Sequence, residues 1–138
     1  MNCGSSVTVT AAQYPNYTAN ASDPQPSCSA LCGSPPAPCA KDKSWWYRIT
    51  TGPSQTQLKL SYCSSVNTLD TLLSVWTGSC GSLAQVACND DSCVVSPNFG
   101  TSTLCITVSP NTTYFILVQH YAPAQVGDYI LNVTCTCP

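Results

Sequence analysis

Eleven cysteines in 138 residues constrain this chain more than any other feature of its sequence. Cytosolic thiols are kept reduced, so this cysteine density is typical of a protein that matures in an oxidising compartment and is held together by disulfides. Zinc binding would need paired Cys-x-x-Cys units or mixed cysteine and histidine sets. The spacings here are irregular and His120 is the only histidine. The sequence therefore predicts a disulfide scaffold.

An odd number of cysteines leaves at least one thiol without a partner in the same chain. That thiol stays free and buried, forms a covalent link with another subunit, or pairs with a segment that this sequence does not include. The sequence does not fix the connectivity, but one bridge is suggested by position. If the strand that begins at Asp70 forms a hairpin with residues 83 to 88, Cys80 and Cys88 are candidates for a disulfide that holds it.

Charge is scarce: charged residues make up 7% of the chain, with four Lys and Arg, six Asp and no Glu. An ordinary soluble domain has about 25% charged residues. Binding to a nucleic-acid backbone needs clustered Lys and Arg, so we expect no nucleic-acid partner. No apolar run approaches the ~20 residues that span a bilayer, so we expect no membrane insertion.

Four N-glycosylation sequons accompany the cysteines, at Asn16, Asn20, Asn111 and Asn132. Each Asn-x-Ser/Thr triplet is a weak signal alone, but four of them in a charge-poor, cysteine-rich chain agree with one another. Covalent N-glycans on at least two of these asparagines would help to keep such a surface soluble. We therefore expect a secreted, extracellular glycoprotein.

Short segments with a period of two predict strands along most of the chain. Ser5 to Thr10 alternate first, and a proline-rich, cysteine-rich stretch without periodicity follows to about residue 40. Alternation then returns around Trp45, Leu58, Leu69, Leu104 and Tyr129. The run from Tyr114 to Tyr121 is apolar on both faces, which predicts a central strand. No segment has helical periodicity with caps. The pattern predicts an all-β fold, a two-sheet antiparallel β-sandwich of jelly-roll type stapled by disulfides.

We expect one compact domain. Residues 1–38 are predicted to form an N-terminal strand and a loop rich in proline and cysteine, and residues 39–138 to form the sandwich.

Several motifs occur in a characteristic order between residues 39 and 135. They are Trp45 to Ile49, Leu69 to Cys80, Cys88 to Asp91, Thr113 to Val118 and Gly127 to Val133. Together they resemble the pre-peptidase C-terminal (PPC) domain family. The resemblance implies a jelly-roll sandwich that accompanies secreted proteins without catalysing a reaction. It also implies a role in targeting, substrate binding or assembly.

Catalytic residues are poorly represented. No Gly-x-Ser-x-Gly elbow is present, and His120 lies in an apolar segment, so we expect no enzyme and no required cofactor. A calcium site is the more serious possibility, because Asp70, Asn89, Asp90 and Asp91 offer the oxygen ligands that this cation prefers. A turn whose Asx side chains bond only to the backbone is the simpler alternative.

Tryptophan side chains on an outer face are candidates for stacking on a sugar ring. Adjacent Trp45 and Trp46 must point to opposite faces of their strand. Trp76 lies on the face of its strand that does not carry Leu73 and Val75, so Trp76 is a candidate for stacking on a sugar.

The leading hypothesis is a non-catalytic extracellular structural or adhesive module that associates with itself into a surface or fibrous assembly. The N-terminal arm could contribute by adding its strand to the sheet edge of a neighbour, although pairing within its own sheet is the more common outcome. The alternative is a carbohydrate- or matrix-targeting accessory domain of a secreted hydrolase. Expected partners are therefore further copies of the chain or components of the extracellular matrix or surface.

Overall fold

The computed structural model describes residues 3–13, 17–20, 22–28, 43–63, 70–96, 99–120 and 127–138. Within these ranges the chain forms strands and turns without a helix, and none of it is a helix that could span a membrane. The strands are β1 (Ser5–Val9), β2 (Lys43–Thr50), β3 (Gln57–Ser61), β4 (Thr71–Ser79), β5 (Ser82–Asn89), β6 (Cys93–Ser96), β7 (Phe99–Thr101), β8 (Thr103–Thr107), β9 (Thr113–His120) and β10 (Tyr129–Thr134).

Two four-stranded antiparallel sheets form the body of the fold. Sheet A has the order β1-β10-β3-β8, and sheet B has the order β2-β9-β4-β5. A short β6-β7 ribbon follows β5. The predicted all-β sandwich is confirmed, and so are the strands expected from alternation, including β9 as a central strand. The first strand is part of sheet A, where Ser5–Val9 pair with Tyr129–Val133 of β10.

The core lies between the sheets and consists of the inward half of each alternating pattern. Because successive side chains of a strand point to opposite faces, every second residue enters this layer. Each fully buried Leu or Ile contributes roughly 1.5–3 kcal/mol through the apolar surface that it removes from water. The fully buried members of this layer are Tyr62, Tyr129, Ile49, Leu58, Leu60, Leu73, Ile116, Leu131 and Val75.

The outer face of sheet B is also covered. Trp46, Leu117, Ser74 and Cys88 are register partners on four successive strands, so they form one row across this face. Residues 22–28, which we call the strap, run along this row. The strap is joined to Trp46 at one end, by a hydrogen bond that Asp23 accepts, and to Cys88 at the other end, by the disulfide of Cys28. The crossing spans roughly 14 Å, and the five steps from Asp23 to Cys28 reach roughly 17 Å when extended. Leu117 and Ser74, the two middle members of the row, are fully buried although they lie on an outer face.

Four disulfides are found among the described residues: Cys3–Cys135, Cys28–Cys88, Cys63–Cys93 and Cys105–Cys137. They indicate the oxidising environment that the sequence predicts. The suggested Cys80–Cys88 bridge is wrong. Cys80 lies at the tip of the β4–β5 hairpin beside Ser79 and Ser82, whereas Cys88 lies opposite Ser74. The separation along β5 is roughly 20 Å, and a disulfide requires Cα atoms within about 7 Å.

Candidate functional site

Three carboxylates meet at one end of sheet B. Asp70 immediately precedes β4, while Asp90 and Asp91 follow β5. Because β4 and β5 are antiparallel, the start of one strand and the end of the other lie side by side. Oxygens of Asp70, Asp90 and Asp91 lie within 4.8 Å of one another. The hairpin therefore brings together three of the four residues in the predicted calcium site, and we call these three the acidic cluster.

β7 and the residue that follows it, Ser102, hold the backbone around the acidic cluster. The amide of Gly100 donates to Asp91 Oδ1 at 2.9 Å, and Ser102 Oγ donates to the carbonyl of Asp90 at 2.7 Å. The amide of Ser102 donates to Thr71 Oγ1 at 2.9 Å, next to Asp70 in the chain. These hydrogen bonds connect Thr71 on one side of the cluster, and the turn that follows β5 on the other, to Gly100 and Ser102, which are buried.

Like charge and burial raise two pKa values in the acidic cluster. The pKa of Asp70 rises to about 6, chiefly because burial disfavours the carboxylate and further because Asp91 and Asp90 are close. The pKa of Asp90 also rises to about 6, through burial and then through Asp91. A divalent cation bound by these oxygens would relieve the same repulsion, and so would protonation.

Asn89 has a different role from the three aspartates. Its Oδ1 accepts from the amide of Thr103 at 3.0 Å, and its Nδ2 donates to Ser92 Oγ at 2.6 Å. The side chain thus links the end of β5 to the start of β8 and to its own turn. The Asx bonding expected of a simple turn is present at Asn89, beside a cluster of carboxylates that could hold calcium.

His120 lies in the interior. It is fully buried at the end of β9, and its ring packs edge-on against Tyr129 with centroids 5.6 Å apart. Tyr129 in turn contacts Trp45 edge-on, with centroids 4.9 Å apart. The surroundings of His120 are those of a packing residue in an aromatic cluster.

Of the two tryptophans on the outer face of sheet B, Trp76 differs from the sequence prediction. Trp76 was expected to be partly exposed, but it is 6% exposed and its Nε1 donates to Ser74 Oγ at 2.8 Å. Its ring is therefore not available for stacking on a sugar. Trp46 is the exposed one, at 37%, and Trp45 on the opposite face is buried in the core. Alternation places Trp45 and Trp46 on opposite faces as expected. It does not show that residues on the outer face of sheet B, such as Trp76, are buried.

Cys80 is an exposed free thiol at the tip of the β4–β5 hairpin. The other eight cysteines of the described ranges form the four bridges. Cys32 and Cys39 lie outside the described residues. Within the described ranges the unpaired thiol is therefore Cys80, and because it lies on the surface the alternative of a buried thiol does not apply to it.

The sequons occupy different environments. Asn20 and Asn111 are exposed, and Asn111 is in a turn with φ of 50°. Asn132 lies within β10, between β1 and β3, and its Oδ1 accepts from Ser6 Oγ at 2.7 Å. Asn16 lies outside the described residues. Glycosylation of these asparagines stays a prediction, and exposure favours Asn20 and Asn111.

No sequence pattern predicts the roles of Asp23 and Cys28, which fasten the strap. The one available signal was Trp46, an aromatic residue that must leave the core because Trp45 enters it. The carboxylate that meets its indole is 23 residues away in the chain, at 3.0 Å in space. Sequence periodicity carries no information about such a contact.

Comparison with known proteins gives no match for this chain, whether to family models, to curated proteins or to solved structures. The resemblance to the PPC domain therefore stays a prediction that depends on its motifs. Any functional conclusion has to come from the residues themselves.

Proposed function

We propose that this protein is a non-catalytic extracellular structural or adhesive module that associates with itself. The exposed thiol of Cys80 carries the proposal, because it projects from the tip of a hairpin in a chain whose other described cysteines are bridged. In an oxidising compartment a free surface thiol pairs readily with another thiol. A second copy of the chain presents the same thiol at the same hairpin tip.

The sheet edges support the same proposal. β1 and β8 are the outer strands of sheet A, and β2 and β5 are those of sheet B. Outer strands carry backbone groups that can pair with another chain. Because β1 already pairs with β10 and is tethered by Cys3–Cys135, the arm itself is not free to leave. A neighbour would instead add to the outward edge of β1, which is strand addition with β1 as the acceptor.

Native material should be tested on a non-reducing gel and by electron microscopy. We expect bands of covalent multimers that collapse to monomer on reduction, and particles larger than a monomer. Cys80→Ser should remove the multimer bands without changing the melting temperature. Ser82→Ala, in the same turn, serves as the matched control and should keep them. A monomer band and monodisperse monomers from native material would contradict self-association.

A second candidate function is carbohydrate or matrix targeting, and Trp46 favours it. This indole is exposed at 37%, and the Asp23 carboxylate accepts its Nε1–H at 3.0 Å. Arg48 is two residues on in β2, so its side chain points to the same face of sheet B. An aromatic ring held in one orientation beside polar groups is suited to packing against the apolar face of a sugar ring.

Retention on insoluble polysaccharides tests this candidate. Trp46→Ala should abolish retention while the protein stays folded by circular dichroism. Val86→Ala removes a similarly exposed apolar side chain, 40% exposed on β5, and should leave retention unchanged. Equal retention of all variants, or none with the wild type, would remove carbohydrate targeting and leave the self-association proposal intact.

A further inference from the structure

The Cys28–Cys88 disulfide differs from the other described bridges in the hydrogen bonds that reach its sulfur. The Sγ of Cys88 lies 2.9 Å from the amide nitrogen of Cys28, 3.6 Å from Gln85 Nε2 and 3.6 Å from Ser27 Oγ. A disulfide sulfur carries no hydrogen, so the hydroxyl of Ser27 is the donor in its contact. Among the described residues, Cys88 is the one bridged sulfur that accepts such bonds.

The orientation of Gln85 is fixed by a second pair of bonds. Its Oε1 accepts from the amide of Ser27 at 2.9 Å, and its Nε2 also donates to Ser27 Oγ at 2.6 Å. The acceptor end of the amide therefore faces the strap backbone, and the donor end faces Cys88. Gln85 belongs to β5, the strand that also carries Cys88, whereas the Ser27 and Cys28 donors belong to the strap.

We propose that Cys28 is a site of S-thiolation, opened by thiol–disulfide exchange with a low-molecular-weight thiol such as glutathione. The incoming thiolate attacks Cys28 Sγ and forms a mixed disulfide there. The Cys28–Cys88 bond breaks, and Cys88 leaves as a thiolate that later takes a proton from water. No electrons are gained or lost overall. Donors around Cys88 stabilise the negative charge that develops on the departing sulfur, which directs the attack to Cys28.

The strap connects this exchange to the conformation of the protein. Cys28 is one fastening of residues 22–28, and the Asp23 carboxylate, bonded to Ser44 and Trp46, is the other. Loss of the disulfide leaves the Cys28 end of the strap without a covalent attachment to β5. Leu117 and Ser74, fully buried beneath the strap row, then become accessible to solvent. The bridge thus acts as a latch on the outer face of sheet B.

Limited reduction of the intact protein in glutathione, quenched by alkylation and mapped by peptide mass spectrometry, tests the proposal. Cys28–Cys88 should open before Cys105–Cys137, although Cys105 is an exposed residue and Cys28 and Cys88 are half-buried. The glutathione adduct should lie on Cys28, and dye binding to apolar surface should rise as it forms. Earlier opening of another bridge, or an adduct on Cys88, would overturn the assignment.

Gln85→Glu is the variant that isolates the donor. It keeps an oxygen for the Ser27 amide but replaces the Nε2 donor with a carboxylate oxygen, which repels a thiolate. Exchange at Cys28 should slow on the order of tenfold. Exchange at Cys105–Cys137 in the same sample provides the internal control and should not change. An unchanged rate at Cys28 would show that the donors play no part.

Discussion

The carboxylate of Asp23 accepts the indole Nε1–H of Trp46 at 3.0 Å and also the hydroxyl of Ser44, which is buried in β2. One side chain from outside the sheets thereby satisfies two donors on the outer face of sheet B. Buried donors are costly to leave without an acceptor. This relationship explains why the strap starts its crossing at Asp23.

Asp23→Ala should destabilise the protein by about 1–3 kcal/mol, because it leaves the Ser44 hydroxyl without its acceptor and frees the Trp46 indole. Urea denaturation followed by tryptophan fluorescence measures this change. Asp128→Ala is the matched control: its carboxylate accepts one amide, from Ala11 at 2.9 Å, in an exposed position. A smaller loss at Asp23 than at Asp128 would show that the strap is not fastened there.

The fold followed from the sequence to a greater extent than the site did. Alternation identified the inward residues of β3, β4 and β10 because burial of one face imposes a period of two. The acidic cluster could also be predicted, because a β4–β5 hairpin brings the residue before β4 close to the residues after β5. The strap was not foreseeable, because it crosses the strands at right angles and its contacts follow no period. For the same reason the partner of Cys88 was predicted wrongly. The exposure of Trp76 was predicted wrongly because a period of two does not show which residues of an outer face are covered.

Core packing should be far more sensitive than the exposed edge of sheet B. Leu73→Ala empties a fully buried position in β4 and should cost about 2–5 kcal/mol. Val86→Ala, 40% exposed on β5, should change the free energy of unfolding by about 0.5 kcal/mol or less. Denaturant midpoints of the two variants give the comparison. Similar midpoints would contradict the assignment of Leu73 to the interior of the sandwich.

The turn that presents Cys80 depends on Gly78. Its φ is 110°, and a Cβ added there would lie 2.4 Å from the carbonyl oxygen of Ser82. Gly78→Ala therefore combines backbone strain with a clash and should cost at least about 2 kcal/mol. Gly81 has φ of 90° with nothing within 4 Å of an added Cβ, so Gly81→Ala should cost only about 1–2 kcal/mol. Thermal melts would contradict this geometry if Gly81→Ala were the more damaging.

Stability should fall as pH rises through the titration of Asp70 and Asp90. The pKa values of Asp70 and Asp90 are about 6 in the folded protein against 3.8 for the free side chain. Between these values the folded state holds more protons than the unfolded state, so acidification from pH 7 to about pH 4 favours folding at these groups. Asp70→Asn removes one charge with little change in shape. It should raise the melting temperature at pH 7.5 and flatten the pH dependence.

Calcium would relieve the same repulsion between carboxylates, but at a pH above their pKa values, because the ion binds the ionised form. If the calcium prediction from the sequence is right, the ion should raise the melting temperature at pH 7.5 and have little effect at pH 4.5, where protons occupy the site. A chelator should reverse the gain, and Asp70→Asn should weaken it. Melting at pH 7.5 that responds neither to calcium nor to chelator would exclude the ion. The gain in stability on acidification would then be the remaining effect expected from Asp70 and Asp90.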